Sequence, residues 1–90
     1  MPHFVLHYDY VPNVVERRAP FRPAHLELYR RWQSEGRLLM GGAVGDPPTG
    51  GLIVFNVDSA DEVEEFAAAD PYVLNGIVTA RRIEPWAVVS

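Results

Sequence analysis

The chain has 90 residues, 48% of them hydrophobic, with no cysteine and a formal net charge of −4, which bounds it to one domain over residues 1–90 with a modest core burying roughly 60–65% of its unfolded surface. Disulfides and thiolate metal sites are excluded. All eight positive charges are arginine, and an acidic chain without a basic stripe is a poor nucleic-acid binder.

Among these, Arg17–Arg18, Arg30–Arg31 and Arg81–Arg82 form isolated doublets that read as solvated faces. No apolar run reaches the length of a membrane span, and Met1-Pro2-His3 lacks the charged and apolar regions of a signal peptide, so the expectation is a cytoplasmic protein without membrane partners.

His3 to Tyr10, rich in aromatic and β-branched residues, predicts a first strand. Phe4, Leu6 and Tyr8 share one face; Val5, His7 and Asp9 share the other. Val14 to Ala19 reads either as a short helical turn capped by Asn13 or as loop. Pro23 suits the first position of a helix, which runs to about Glu35 and ends at Gly36, with His25, Leu28, Tyr29 and Trp32 on its inner face.

Arg37 to Val44 predicts a second strand, in which Gly41-Gly42 suggests a bulge or a close approach of backbone to another group. After the loop Gly45 to Gly51, Leu52 to Val57 forms the third strand and closes a hairpin. Ser59-Ala60-Asp61-Glu62 has the pattern of a capping box, opening a second helix with Val63, Phe66 and Ala67 as its apolar stripe. Asp70-Pro71 starts a further turn, with Asp70 as cap, and Asn75-Gly76 closes it. Ile77 to Ile83 is the fourth strand, broken by Pro85 before a terminal segment.

This order is the split βαβ arrangement, an α+β ferredoxin-like βαββαβ fold with a four-stranded antiparallel sheet and both helices on one face. The runs Leu38-Leu39-Met40 and Leu52-Ile53-Val54-Phe55 are continuously apolar, as in strands covered on both sides. A second copy of the sheet is the economical cover for the free face, so a homodimer is expected.

Few residues carry chemistry. His25 falls in the first turn of its helix, where the dipole disfavours the imidazolium and favours a neutral general base. A partly buried packing histidine is the plain alternative. Asp70, far away in sequence, would fix the histidine's tautomer if the fold brings them together; otherwise it is simply a cap. Arg22 suits a two-pronged hold on a carboxylate or phenolate, or equally a salt bridge to a surface acid, and Tyr72 either closes an apolar pocket and offers a hydroxyl or is ordinary core. Tyr8, His7 and Asp9 on the first strand could face the pocket, but nothing distinguishes them from structural residues. His3, His7 and His25 lack metal-ligand spacing, and no phosphate-cradling glycine loop or nucleophile elbow is present, so neither metal nor cofactor is predicted.

The set Arg22-Pro23-Ala24-His25-Leu26, Glu35-Gly36-Arg37-Leu38-Leu39 with Gly41-Gly42, and Ala69-Asp70-Pro71-Tyr72-Val73 with Gly76 resembles the YciI-like (YCII-related) proteins over nearly the whole chain. The resemblance implies sheets that pair into a dimeric α+β barrel, and a pocket whose His–Asp pair corresponds to His25 and Asp70. At least one resembling protein is a dehydrochlorinase acting on a chlorinated hydroxyquinol. The loop Gly45 to Gly51 is short, and other members can carry a longer insertion, which bears on pocket shape and substrate. The functional expectation is a cofactor-free lyase or isomerase acting on a small hydroxylated or aromatic compound. The alternative is a non-catalytic ligand-binding or accessory module, with an oxygenating or ring-opening enzyme a third option.

Overall fold

The computed structural model describes residues 2–90. Strand β1 (His3–Tyr10) is followed by a single helical turn, α1 (Val14–Arg17), and a 3-10 turn (Ala19–Phe21). The long helix α2 (Arg22–Ser34) leads into the hairpin of β2 (Leu38–Val44) and β3 (Gly50–Asn56). Helix α3 (Ala60–Ala69), the one-turn α4 (Pro71–Leu74) and strand β4 (Val78–Trp86) complete the chain. The sheet order is β2-β3-β1-β4, with every neighbouring pair antiparallel. The expected ferredoxin-like sheet is therefore present. β1 lies inside it, and a residue near its end reaches the sheet's helical side at the centre of the molecule.

Alternation along β1 sends Leu6 and Tyr8 into the core. There they meet Leu28 and Trp32 of α2, Ile53 and Phe55 of β3, and Val63 and Phe66 of α3. Trp32, Phe55 and Phe66 form a mutual edge-to-face cluster, with centroids 5.1–5.9 Å apart, a geometry that aligns ring edges with the negative faces of their neighbours. Arg37 covers Trp32, its guanidinium carbon 3.6 Å from the ring centroid. Gly36, at φ 76°, turns the chain out of α2 in the left-handed region, as its position predicts.

Four local expectations differ from the structure. Asn13 is itself left-handed (φ 58°), so it turns the backbone into α1 and its side chain makes no capping bond. The capping box is only half formed. The Ser59 hydroxyl is not used, and Glu62 Oε2 accepts from Asp58 N at 2.9 Å, one residue further back than expected. The register shift in β2 falls between Leu38 and Met40, not at the glycines. Finally, β4 begins one residue late and runs on through Pro85, which pairs in register with Phe4. β4 is an edge strand, and proline within a sheet is tolerated at an edge.

The sheet face opposite the helices is open. Val5, Met40, Leu52, Val54 and Trp86 line a shallow hollow of about 410 Å³ there, with Met40 66% and Trp86 47% exposed. His7 and Glu84 pair on the same face at 2.9 Å, and a hydrogen bond from Arg82 holds the Glu84 carboxyl below the usual range.

Candidate active site

Asp70 closes α3 and caps α4. Its extended backbone (φ −71°, ψ 122°) precedes Pro71, which is already set for a helical start, and Oδ1 accepts from Tyr72 N at 3.0 Å. The side chain is completely buried, so it must find all its partners inside the protein. Two more are present. His25 Nδ1 lies 2.7 Å from the same Oδ1, and Tyr8 Oη donates to Oδ2 at 2.8 Å. The structure thus brings together one residue each from β1, α2 and the α3–α4 junction.

A carboxylate accepts and does not donate, so the contact places the imidazole proton on Nδ1 and leaves Nε2 with the lone pair. His25, 4% exposed, is held between two rings. Tyr72 stacks on it in parallel at 3.6 Å and 3°, and Tyr29 leans over it at 4.6 Å. The tautomer and the orientation of the ring are therefore both fixed. The Tyr8 hydroxyl is held far above the ordinary phenol range, first by burial and then by the negative charge of Asp70. It remains a proton donor to Asp70 throughout the neutral range.

Beside His25 lies a pocket of about 190 Å³. Arg22 and Tyr72, both expected at the site, line it, as do Tyr10, Tyr29 and the Gly41–Gly42 backbone. Gly41 leaves room for Tyr29: a Cβ would stand 2.7 Å from Tyr29 Cε2, so the close approach suggested by the paired glycines is to a tyrosine ring. Burial raises Tyr10 to about 12 and Tyr29 higher still. A larger hollow of about 440 Å³ lies along Tyr10–Glu16 and Pro47–Thr49, but its lining has no histidine and its one acid, Glu16, has no basic neighbour in it. Among the described residues, no three His, Asp or Glu side chains gather as a metal site would require.

Sequence reasoning named Tyr8 without separating it from its neighbours, and missed Arg18. Tyr8 had a signal: a hydroxyl on the buried face of a strand otherwise lined by Phe4 and Leu6 needs an internal partner. Arg18, grouped with Arg17 as a solvated doublet, in fact lines the pocket; nothing in the doublet separates the two arginines. His7 points to the open face of the sheet, away from the site.

Fold and site together define a ferredoxin-like protein with a buried His–Asp–Tyr cluster at the edge of a small pocket. The YCII-related domain matches residues 1–87, and the chain belongs to that family. It is 30% identical to the protein YciI of Escherichia coli O6:H1, over 92% of this chain and 94% of the relative. Among solved structures it is similar to the 5-chloro-2-hydroxyhydroquinone dehydrochlorinase TftG of Burkholderia phenoliruptrix, in complex with 2,5-dihydroxybenzoquinone, at TM-score 0.79 and 24% identity over 94% of this chain and 93% of that one. It is also similar to a dimeric ferredoxin-like protein from an uncultured marine organism, at TM-score 0.57 and 20% identity over 99% of this chain and 88% of that one. No helix among the described residues is long and apolar enough to cross a membrane.

Proposed function

We propose that the chain is a cofactor-free acid/base enzyme, a lyase or isomerase acting on a small hydroxylated ring. The observation that carries this reading is the 2.7 Å contact between His25 Nδ1 and a fully buried Asp70 carboxylate at the wall of a pocket. His25 Nε2 takes a proton from a substrate O–H or C–H. The electrons of that bond move into the ring, and in an elimination the carbon–halogen bond breaks and halide leaves. Asp70 keeps the ring oriented and stabilises the imidazolium formed in the step. Arg22, at the pocket, holds an anionic group of the substrate. One positioned base supplies about 10²–10⁴-fold, enough for an activated ring and too little for an amide. The similarity to a dehydrochlorinase points to the same class of reaction.

The test is chloride release from 5-chloro-2-hydroxyhydroquinone. His25→Ala is expected to lower kcat by about 10²–10⁴-fold, and Asp70→Asn to lower it as well, by supplying the wrong acceptor to Nδ1. Wild-type turnover that survives both changes removes the reading. A second reading, a non-catalytic ligand-binding or accessory module, is favoured by one observation: Asp70 already has three internal donors and caps α4. In that case His25→Ala changes only the melting temperature, and 2,5-dihydroxybenzoquinone binds without any substrate being turned over.

We also propose that a second copy covers the open sheet face, giving a dimeric α+β barrel. The exposed Met40, Leu52 and Trp86 support this, as does the similarity to a dimeric ferredoxin-like protein.

A further inference from the structure

Arg18 and Arg22 flank the 3-10 turn Ala19–Phe21, and both line the pocket beside His25. The positive charges of both act on the Tyr10 hydroxyl at the same wall, opposing in part its burial and the influence of Tyr72 and the Asp70 carboxylate. Neither makes an ion pair among the described residues, as is also true of Arg17, Arg30 and Arg31 outside the pocket, whereas Arg37, Arg81 and Arg82 are each paired with a glutamate. The lining contains no Asp or Glu side chain. In a chain of net charge −4, the pocket wall thus carries two arginines and no acid, with the Asp70 carboxylate set behind the imidazole, and low-dielectric walls focus such a field.

An independent observation concerns Tyr72, which also lines this pocket. Tyr72 is 1% exposed, and its hydroxyl oxygen is buried without a hydrogen-bond partner. A buried hydroxyl left unpaired costs about 1–3 kcal/mol. Its ring is fixed by the stack on His25, so the hydroxyl cannot swing out to find a partner elsewhere.

We propose that Arg18, Arg22 and the Tyr72 hydroxyl form an anion subsite that selects the ionised form of a small planar ring oxyacid, such as a phenolate, over its neutral form. The proposal rests on the acid/base reading only for the location of the reacting carbon. The arginines hold one anionic oxygen at the mouth, the ring lies among Tyr10, Tyr29 and Tyr72, and the Tyr72 O–H donates to a second oxygen. Arg18 is new to the site, and so is the selection of charge state. The other titratable groups facing the pocket are His25, Tyr10 and Tyr29, with Asp70 behind the imidazole.

The probe is p-nitrophenol, whose ionised form absorbs separately from the neutral one. Bound to the full-length protein, its apparent pKa is expected to fall by about one unit, a tenfold preference for the anion, and the preference should weaken as salt is added. Arg18→Gln and Arg22→Gln should each reduce the fall, and the double variant should abolish it. Arg17→Gln, on the neighbouring exposed side chain outside the pocket, should leave it unchanged. Tyr72→Phe keeps the stacked ring and should weaken binding of 4-nitrocatechol, which carries a second oxygen, more than that of p-nitrophenol. His25→Asn should retain the anion preference while turnover is lost, so failure of the subsite and failure of the acid/base reading are separable. Equal binding of phenol and phenolate, a preference that survives in the double variant, or no binding of either form at millimolar concentration overturns the proposal.

Discussion

Asp70 has three tasks in one side chain: it caps α4, orients His25 and accepts from Tyr8. Asp70→Ala removes all three partners at once and leaves a buried hydroxyl and imidazole unpaired. The expected loss is about 3–5 kcal/mol, a large part of the roughly 5–15 kcal/mol that holds a small domain together. Urea denaturation measures it, and a loss under 1 kcal/mol contradicts the geometry. Tyr8→Phe takes away one donor and keeps the ring. A cost of about 1–2 kcal/mol is expected, and under the acid/base reading kcat also falls, because Asp70 is freer to turn from Nδ1. The pair His25 and Asp70 was readable in the chain as two suggestive positions and a family resemblance. That they meet was implied by the resemblance alone and not by spacing or periodicity, because the contact spans 45 residues and depends on where α2 and α3 lie on the sheet. Tyr8 was readable only through the demand of a buried hydroxyl for a partner.

At the scale of elements, the strong periodic segments were legible. β1 was placed with its observed ends, and α2 and α3 followed from apolar spacing, because burial of one face dictates both. The ends of other elements followed less well. Pro85 argues for a break only in a central strand, and nothing local in the sequence says that β4 lies at an edge. At the start of α3 the Glu62 backbone N–H bonds the Ser59 carbonyl instead of its hydroxyl, and the Glu62 carboxylate accepts from Asp58 N. Gly50 exposes a demand invisible in the sequence: a Cβ there would stand 2.4 Å from the carbonyl oxygen of Tyr8. Backbone cannot yield as a side chain does, so Gly50→Ala is expected to part β1 from β3 locally at about 1–3 kcal/mol. Hydrogen exchange should show it first in the amides paired between Tyr8 and Gly51; unaltered protection there speaks against the predicted clash. At Gly41 the obstacle is the tip of the Tyr29 ring. Gly41→Ala should therefore fold, and should weaken ligand binding in the pocket by pushing that ring inward.

Across the whole molecule, three tyrosines set an alkaline limit. Tyr8, Tyr10 and Tyr29 all have raised values in the folded state, with burial the largest cause in each. Their stabilising contribution is complete below pH 10, where the phenols are protonated in both states. It is lost as pH rises, because only the unfolded chain ionises freely. For Tyr10 the window runs from 10.0 to about 12. The urea midpoint should decline across that range, and less steeply in Tyr10→Phe; identical slopes refute the assignment. The proposed dimer has its own test. Met40→Glu or Leu52→Glu on the open sheet face should shift the sedimentation coefficient to that of a monomer, and a dimer unaffected by both excludes that interface. The shared oxygen at Asp70 also shapes how such a protein loses its chemistry over descent. Oδ1 serves the start of α4 as well as the imidazole, so a lineage that no longer needs proton transfer can discard His25 far more cheaply than Asp70. Inactive descendants would be recognised by an aspartate that has outlived its histidine.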